Sequence, residues 1–260
     1  MGDLKFVFLG TGTSQGVPIL GCACPVCRSP DPRDKRLRTS AAIFVGEQVW
    51  VIDTGPDFRQ QALRARLPTV DAVLFTHAHK DHTAGLDDVR PFNYLQNKRI
   101  VLYGDHRTLQ QIRVEYAYAF EGPPYPGLPQ LTLWEIEPFS PFCLHGVEVL
   151  PLPFLHYRLP ILGYRIGRLA YITDASAIPE ETWKYLRGVE ILVLNALRKE
   201  PHISHFHLDA ALEVVAQLKP QEAYFIHISH LMGRHAEVQA ELPPGVFLAY
   251  DGLELSFPYP

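Results

Sequence analysis

Short apolar runs, broken by polar or glycine-rich turns, alternate along this chain with stretches whose apolar residues recur at helical spacing. Lys5-Phe6-Val7-Phe8-Leu9-Gly10 reads as a buried strand entering a glycine-rich loop over residues 10–16. That loop lacks a following Gly-Lys-Ser/Thr, which excludes a phosphate-binding P-loop. Residues 39–45 and 48–52 predict a hairpin turned at Gly46-Glu47, whose second strand delivers Asp53 to its C-terminal end. A helix over 57–66 precedes the strand Ala72-Val73-Leu74-Phe75-Thr76, which runs directly into His77-Ala78-His79-Lys80-Asp81-His82. A strand over 100–103 and a helix over about 107–118 come next. Residues 121–127 hold too much Pro and Gly for a helix and suit an ordered loop, either a lid over a site or a turn between halves.

The second half repeats the rhythm. Strands are expected at 147–152, 163–166, 169–173, 191–194 and 223–228, with strand segments over 246–257. Helices are expected at 179–186, opening with proline near the first turn, and at 208–218. No linker, low-complexity segment or sequence repeat interrupts the alternation, so one α/β domain over residues 1–260, built of two similar β-rich halves with helices outside, fits the pattern.

Composition narrows the function classes. The net charge is −4, without a basic run, which disfavours a general nucleic-acid surface because such surfaces gain affinity from clustered Lys and Arg. No apolar stretch is long enough to span a bilayer, and the N-terminus lacks a signal-peptide layout, so a cytoplasmic protein without a membrane partner is expected. The 23 prolines, two methionines, few asparagines and a preference for Arg over Lys suggest heat tolerance; a melting midpoint below about 60 °C would remove that expectation. Three of the four cysteines crowd into Cys22-Ala23-Cys24-Pro25-Val26-Cys27, a spacing better suited to metal thiolates than to disulfides, while Cys143 reads as a core filler.

The strongest chemical signal is His77-x-His79-x-Asp81-His82, which sets four metal-ligand side chains at one strand end. One loop cannot close the shells, and His156, Asp174 and His227 stand at the ends of other apolar strands, where they can converge on it.

On these residues the chain resembles the metallo-β-lactamase superfamily, with the match running from Asp53 to His227 in the family's order. The resemblance implies an αββα four-layer sandwich with a dinuclear centre between the sheets. By it, His77, His79 and His156 would take one ion, Asp81, His82 and His227 the other, Asp174 would bridge them, and Asp53 would orient ligands from behind. Within the superfamily, Leu9-Gly10-Thr11-Gly12-Thr13-Ser14, the cysteine cluster and His227-x-x-His230 are similar to the PhnP-type phosphodiesterases, which open ribosyl cyclic phosphates during phosphonate breakdown. That likeness implies a structural zinc on Cys22, Cys24, Cys27 and His230, a donor set that makes a closed tetrahedral shell. It also matches His205, in His202-Ile203-Ser204-His205, to the family's general acid, with Asp81 as an alternative proton carrier; His207 departs from the family's usual Ser or Thr at the cap of the next helix.

The expected activity is hydrolysis of a small phosphodiester, cyclic ribosyl or nucleotide, using two divalent ions, Zn or Mn, in a dinuclear centre. Rival readings are a tRNase Z-like 3′-end endonuclease, which lacks support from any Gly/Lys-rich arm here, and a glyoxalase II-like thioester hydrolase; a metal-binding sensor without turnover is a third. Tyr125, Tyr157 and Arg158 are candidates for selecting the substrate, and a homodimer is expected from the resemblance alone.

Overall fold

The computed structural model describes residues 2–121 and 125–259. Two seven-stranded sheets face each other. The first contains β1 (Gly2–Gly10), β2 (Ser40–Val45), β3 (Gln48–Ile52), β4 (Ala72–Leu74), β5 (Ile100–Gly104) and β6 (Leu131–Glu135) in that spatial order. The second contains β7 (Phe142–Leu144), β8 (Val147–His156), β9 (Leu159–Ile166), β10 (Leu169–Ile172), β11 (Ile191–Asn195), β12 (Glu222–Ile226) and β13 (Val246–Leu248), ordered from β13 back to β7. The final strand, β14 (Glu254–Tyr259), returns to the first sheet and pairs antiparallel with β1.

Each sheet is antiparallel at one side and parallel at the other: β3 through β6 run parallel, as do β10 through β13. Parallel pairs need crossovers, and helices supply them on the outer faces. On the first sheet these include α1 (Phe58–Ala65), α2 (Lys80–Thr83), α3 (Arg90–Gln96), α4 (His106–Glu115) and α5 (Ala117–Phe120); on the second, α6 (Glu180–Leu186), α7 (Leu208–Leu218) and α8 (His235–Glu241).

The core is therefore layered. Phe6, Phe8, Ile43, Trp50, Tyr164, Tyr171 and Tyr224 fill the space between the sheets. Phe58, Leu102, Leu109 and Ile112 seal the first outer layer, and Phe154, Leu194, Leu208 and Phe225 the second. This is the four-layer αββα sandwich. Trp50 is wholly buried and donates from Nε1 to His145 Nδ1 at 2.9 Å, tying β3 to the turn before β8. Truncating such a ring costs about 3–5 kcal/mol.

Differences from the sequence expectation have local causes. The helix expected over 107–118 breaks at Tyr116 (φ −110°, ψ 34°) into α4 and α5. The strand expected through Ile228 stops at Ile226 because His227 turns into the left-handed region, φ 56°. Cys143 is exposed: it lies on the three-residue edge strand β7, where alternation turns Leu144 inward and Cys143 out. Residues 122–124 of the proposed lid lie outside the described residues. Beside them, Tyr94 Oη donates to the Pro126 carbonyl and Arg90 Nη1 to that of Gly127, so the flanking chain lies against α3.

Candidate metal centres

Strand ends at one rim of the sandwich bring the first cluster together. β3 leads to Asp53, β4 to His77, β8 ends on His156, β10 leads to Asp174 and β12 to His227. Asp53, Asp174 and His227 all take left-handed backbone (φ 61°, 58° and 56°), as does Tyr157 just after His156 (φ 56°). Non-glycine residues seldom do so, and the strain of about 1–3 kcal/mol at each concentrates where the chain must swing side chains off the strands into one crease. Gly55 lets the metal loop approach, since a Cβ there would meet the Asp81 carbonyl oxygen at 2.0 Å.

Within the crease, Asp174 stands between the partners. Its Oδ2 lies 3.2 Å from His82 Nε2; its Oδ1 lies 3.0 Å from His227 Nε2 and 3.1 Å from His205 Nε2. Asp81 Oδ2 is 3.2 Å from His82 Nε2 and 3.7 Å from His227 Nε2. The ring of His79 lies 4.6 Å from that of His77 and 5.1 Å from that of His156, centroid to centroid. All seven expected ligands therefore share one crease, with His205 beside them.

Groups behind the ligands aim them. Asp53 accepts from Thr76 N (2.8 Å), Thr76 Oγ1 (2.7 Å) and His82 Nδ1 (2.7 Å), which leaves His82 Nε2 facing the two carboxylates. His156 Nδ1 donates to the carbonyls of Asp174 (2.8 Å) and Ser204 (2.7 Å), and Thr173 Oγ1 donates to Asp174 Oδ2 (2.6 Å). Thr76, Thr173 and Ser204 were not singled out from the sequence, although a threonine directly before a strand-end ligand, as in Thr76-His77 and Thr173-Asp174, is a readable signal.

The electrostatics are those of a cation site. Burial favours neutral carboxyls, but His227 and His82 outweigh it and hold Asp174 well below the usual carboxylate range; His82 and His227 do the same for Asp81. Burial lowers His77, with His82 adding to the effect, and pulls His205 down to about 4. His77 Nε2, His82 Nε2 and His227 Nε2 are buried without a hydrogen-bond partner. Unpaired imidazole nitrogens converging on ionised carboxylates are the donors that divalent ions require, so the residues fit a dinuclear centre.

A second cluster lies where β1 runs into the long loop before β2. His230 Nδ1 is 3.4 Å from Cys22 Sγ, 3.3 Å from Cys24 Sγ and 3.6 Å from Cys27 Sγ. The Cys27 amide donates to Cys24 Sγ and, with His230, brings that thiol down to about 6; burial pushes Cys27 up to about 11. Three sulfurs and one imidazole nitrogen, all within 4.8 Å of one another, fit a closed tetrahedral zinc shell.

A pocket of about 590 Å³ opens on His79 and His156 and is walled by Arg107, Tyr157, Arg158 and Ile203. Tyr157 and Arg158 were expected there and Arg107 was not; nothing in the α4 sequence pointed it toward the site. Tyr125, exposed and packed over Gly127, lines neither this pocket nor a smaller cleft on His77 and His79. His207 occupies the N-cap of α7 without a side-chain cap bond. Among the described residues, no helix is long and apolar enough to cross a membrane.

Comparison with known proteins bears on the family and the fold. The family model described as Beta-lactamase superfamily domain matches residues 50–228. A solved structure titled as a new diphosphatase from the PhnP family superposes with a TM-score of 0.92 at 40% identity, covering 98% of each chain. A protein of Porphyromonas gingivalis named octanoyltransferase is 43% identical over 96% of this chain, which spans only 51% of that longer protein. Zinc-bound PqqB of Methylobacterium extorquens shares the fold, with a TM-score of 0.76 at 20% identity, covering 96% of this chain and 99% of that one.

Proposed function

The chain belongs to the β-lactamase superfamily as a PhnP-type member with the metallo-β-lactamase fold, and from that premise we propose that it is a metal-dependent phosphodiesterase acting on a small, cyclic ribosyl or nucleotide, phosphodiester. The observation that carries the reading is Asp174, whose two oxygens face His82 on one side and His227 and His205 on the other, with the three imidazoles of His77, His79 and His156 alongside. Two divalent ions held by these residues, zinc or manganese, would acidify water for in-line attack and neutralise charge on a phosphoryl oxygen.

The chain's own groups do the rest. The pocket beside His79 and His156 admits a phosphoryl group, and Arg107 and Arg158 give it a positive wall. His205 is the proton donor for the leaving oxygen. Its Nδ1 is held by Ser204 Oγ at 3.0 Å and lies 3.2 Å from His202 Nδ1, so that Nε2 points at Asp174. Burial favours its neutral form; its neighbour Ser204 lines the pocket, and a phosphoryl anion reaching from there to the His205 ring would favour the imidazolium from which Nε2–H is delivered. Asp81, held as a carboxylate between His82 and His227, serves as a ligand ahead of any role in proton transfer.

Support comes also from the similar PhnP-family structure, which is that of a diphosphatase. A second reading, acyl-thioester hydrolysis on the same centre, is favoured only by the octanoyltransferase name, and that name belongs to a protein of which this chain spans half. One assay separates them: Zn- and Mn-reconstituted protein offered bis(p-nitrophenyl) phosphate, p-nitrophenyl phosphate and an acyl thioester. Metal-dependent cleavage of the diester that spares the other two is expected. A silent diester on fully metallated protein would overturn the reading, and thioester cleavage in its place would establish the second.

A further inference from the structure

The two clusters are joined by one short element. His227 belongs to the crease and His230 to the thiolate cluster, and Ile228 between them is clamped on both sides: its N–H donates to Thr11 O at 2.9 Å, and its carbonyl accepts from Thr13 N at 3.1 Å. The clamp is anchored in turn. Thr11 donates from N and Oγ1 to Asp251 Oδ1 and accepts from the buried Arg36 guanidinium at 2.8 Å, while a Cβ on Gly12 would meet Arg36 Cβ at 2.9 Å. Downstream of Thr13 the same loop enters the cysteine cluster, where the Ile19 amide donates to Cys27 Sγ at 3.5 Å. A cleft lined by Thr13, His205 and His230 lies between the clusters.

His227 has little else to fix it. Its Nδ1 is buried without a hydrogen-bond partner, its Nε2 faces only the Asp174 and Asp81 carboxylates with which it would share an ion (3.0 and 3.7 Å), its backbone is left-handed, and its ring stacks against His205 (4.9 Å) and His82 (6.0 Å). The Ile228 clamp therefore fixes the backbone next to His227, and the loop that continues from the clamp is the one the cysteines gather.

We infer that Cys22, Cys24, Cys27 and His230 form a fixture for His227, so that filling the thiolate site tightens the affinity of the His/Asp centre for its ions, and filling that centre tightens the thiolate site equally. The physical basis is shared ordering: residues 11–27 and 227–230 lose their freedom once, and whichever ion binds second meets ligands already in place. His230 is thus a positioning residue for His227.

Manganous ion tests this without reference to turnover, because it takes the oxygen and nitrogen donors of the crease and leaves thiolates to zinc. Its dissociation constant would be measured by electron paramagnetic resonance on metal-stripped protein, with one equivalent of zinc restored where all four donors of the thiolate site are present and none added to Cys24→Ser or His230→Ala, where it would occupy the crease and displace manganese. Relative to wild type, Cys24→Ser and His230→Ala should bind manganese about tenfold more weakly, within the usual range of coupling between sites. His230→Cys, which rebuilds a four-ligand thiolate shell, should return to within about threefold, and Leu109→Ala, a core truncation in the other half, should stay within about twofold. Wild type without zinc should match Cys24→Ser, an arm that needs no variant to fold. Wild-type manganese affinity in folded Cys24→Ser and His230→Ala, in zinc-free wild type, or an equal loss in Leu109→Ala, would overturn the inference.

Discussion

The crease and the cysteine cluster are built in opposite ways. Four crease ligands come from the segment after β4 and three arrive singly, at the end of β8 and after β10 and β12, so they converge only when both sheets are complete. Three of the four thiolate-site donors lie in one loop, and only His230 comes from far along the chain. The crease also depends on strained backbone at Asp174 and His227, whereas none of the four thiolate-site donors has positive φ. The crease opens on a pocket walled by Arg107, Tyr157 and Arg158, whereas three sulfurs and one imidazole complete a four-donor shell that leaves no open position on its ion. Chemistry belongs to the first and architecture to the second.

Substitutions should divide along that line. Asp174→Ala, which removes the carboxylate shared by both sides of the crease, should lower kcat/KM by about a thousandfold or more with ions lost from the crease, while the thiolate-site zinc stays, as metal analysis would show. His205→Ala should lower kcat about a hundredfold and leave metal content unchanged; an unaltered rate would end its role as proton donor. Asp53→Asn, which removes an acceptor behind His82, should weaken metal retention about tenfold in chelator competition. Cys24→Ala, assayed in excess metal, should change the rate little but lower Tm by about 5–10 °C, the mark of a structural site.

The smallest effect concerns the anchor between the regions. Burial, with Arg36 and Arg33 nearby, pulls His235 down to about 4 from an ordinary 6.5. The unfolded chain therefore binds the proton that the folded chain refuses, and stability must fall as pH drops from about 6.5 toward 4. His235→Asn should flatten the decline of Tm between pH 7 and 5 in metal-loaded protein; an identical decline would show that other groups set it.

The legibility of these features followed their locality. His77-x-His79-x-Asp81-His82 and the cysteine triplet are short patterns, and the apolar runs before His156 and Asp174 marked where their side chains would emerge. α7, with strong helical periodicity, was read to the residue. α3 was missed because Arg90-Pro91-Phe92-Asn93-Tyr94-Leu95-Gln96 buries only Phe92 and Asn93, too little for a periodic signal. β7 was missed because three residues cannot show alternation, and its edge position is what exposes Cys143. The left-handed turns at Asp53, Asp174 and His227 have no local signature, since tertiary packing imposes them. Arg107 was invisible for the same reason: it shares the pocket wall with Tyr157 and Arg158 of the β8–β9 turn, a proximity that exists only once both sheets are in place.

The proposed division into a reactive dinuclear crease and a closing zinc site is tested most directly by locating the metals. Anomalous diffraction at the zinc and manganese edges, on crystals grown from Mn-supplemented protein, should show three ions per chain: two within the crease around Asp174, exchangeable to manganese, and one zinc among Cys22, Cys24, Cys27 and His230 that does not exchange. A single crease ion with Asp174 bound to it from one side only, or manganese among the cysteines, would contradict the account.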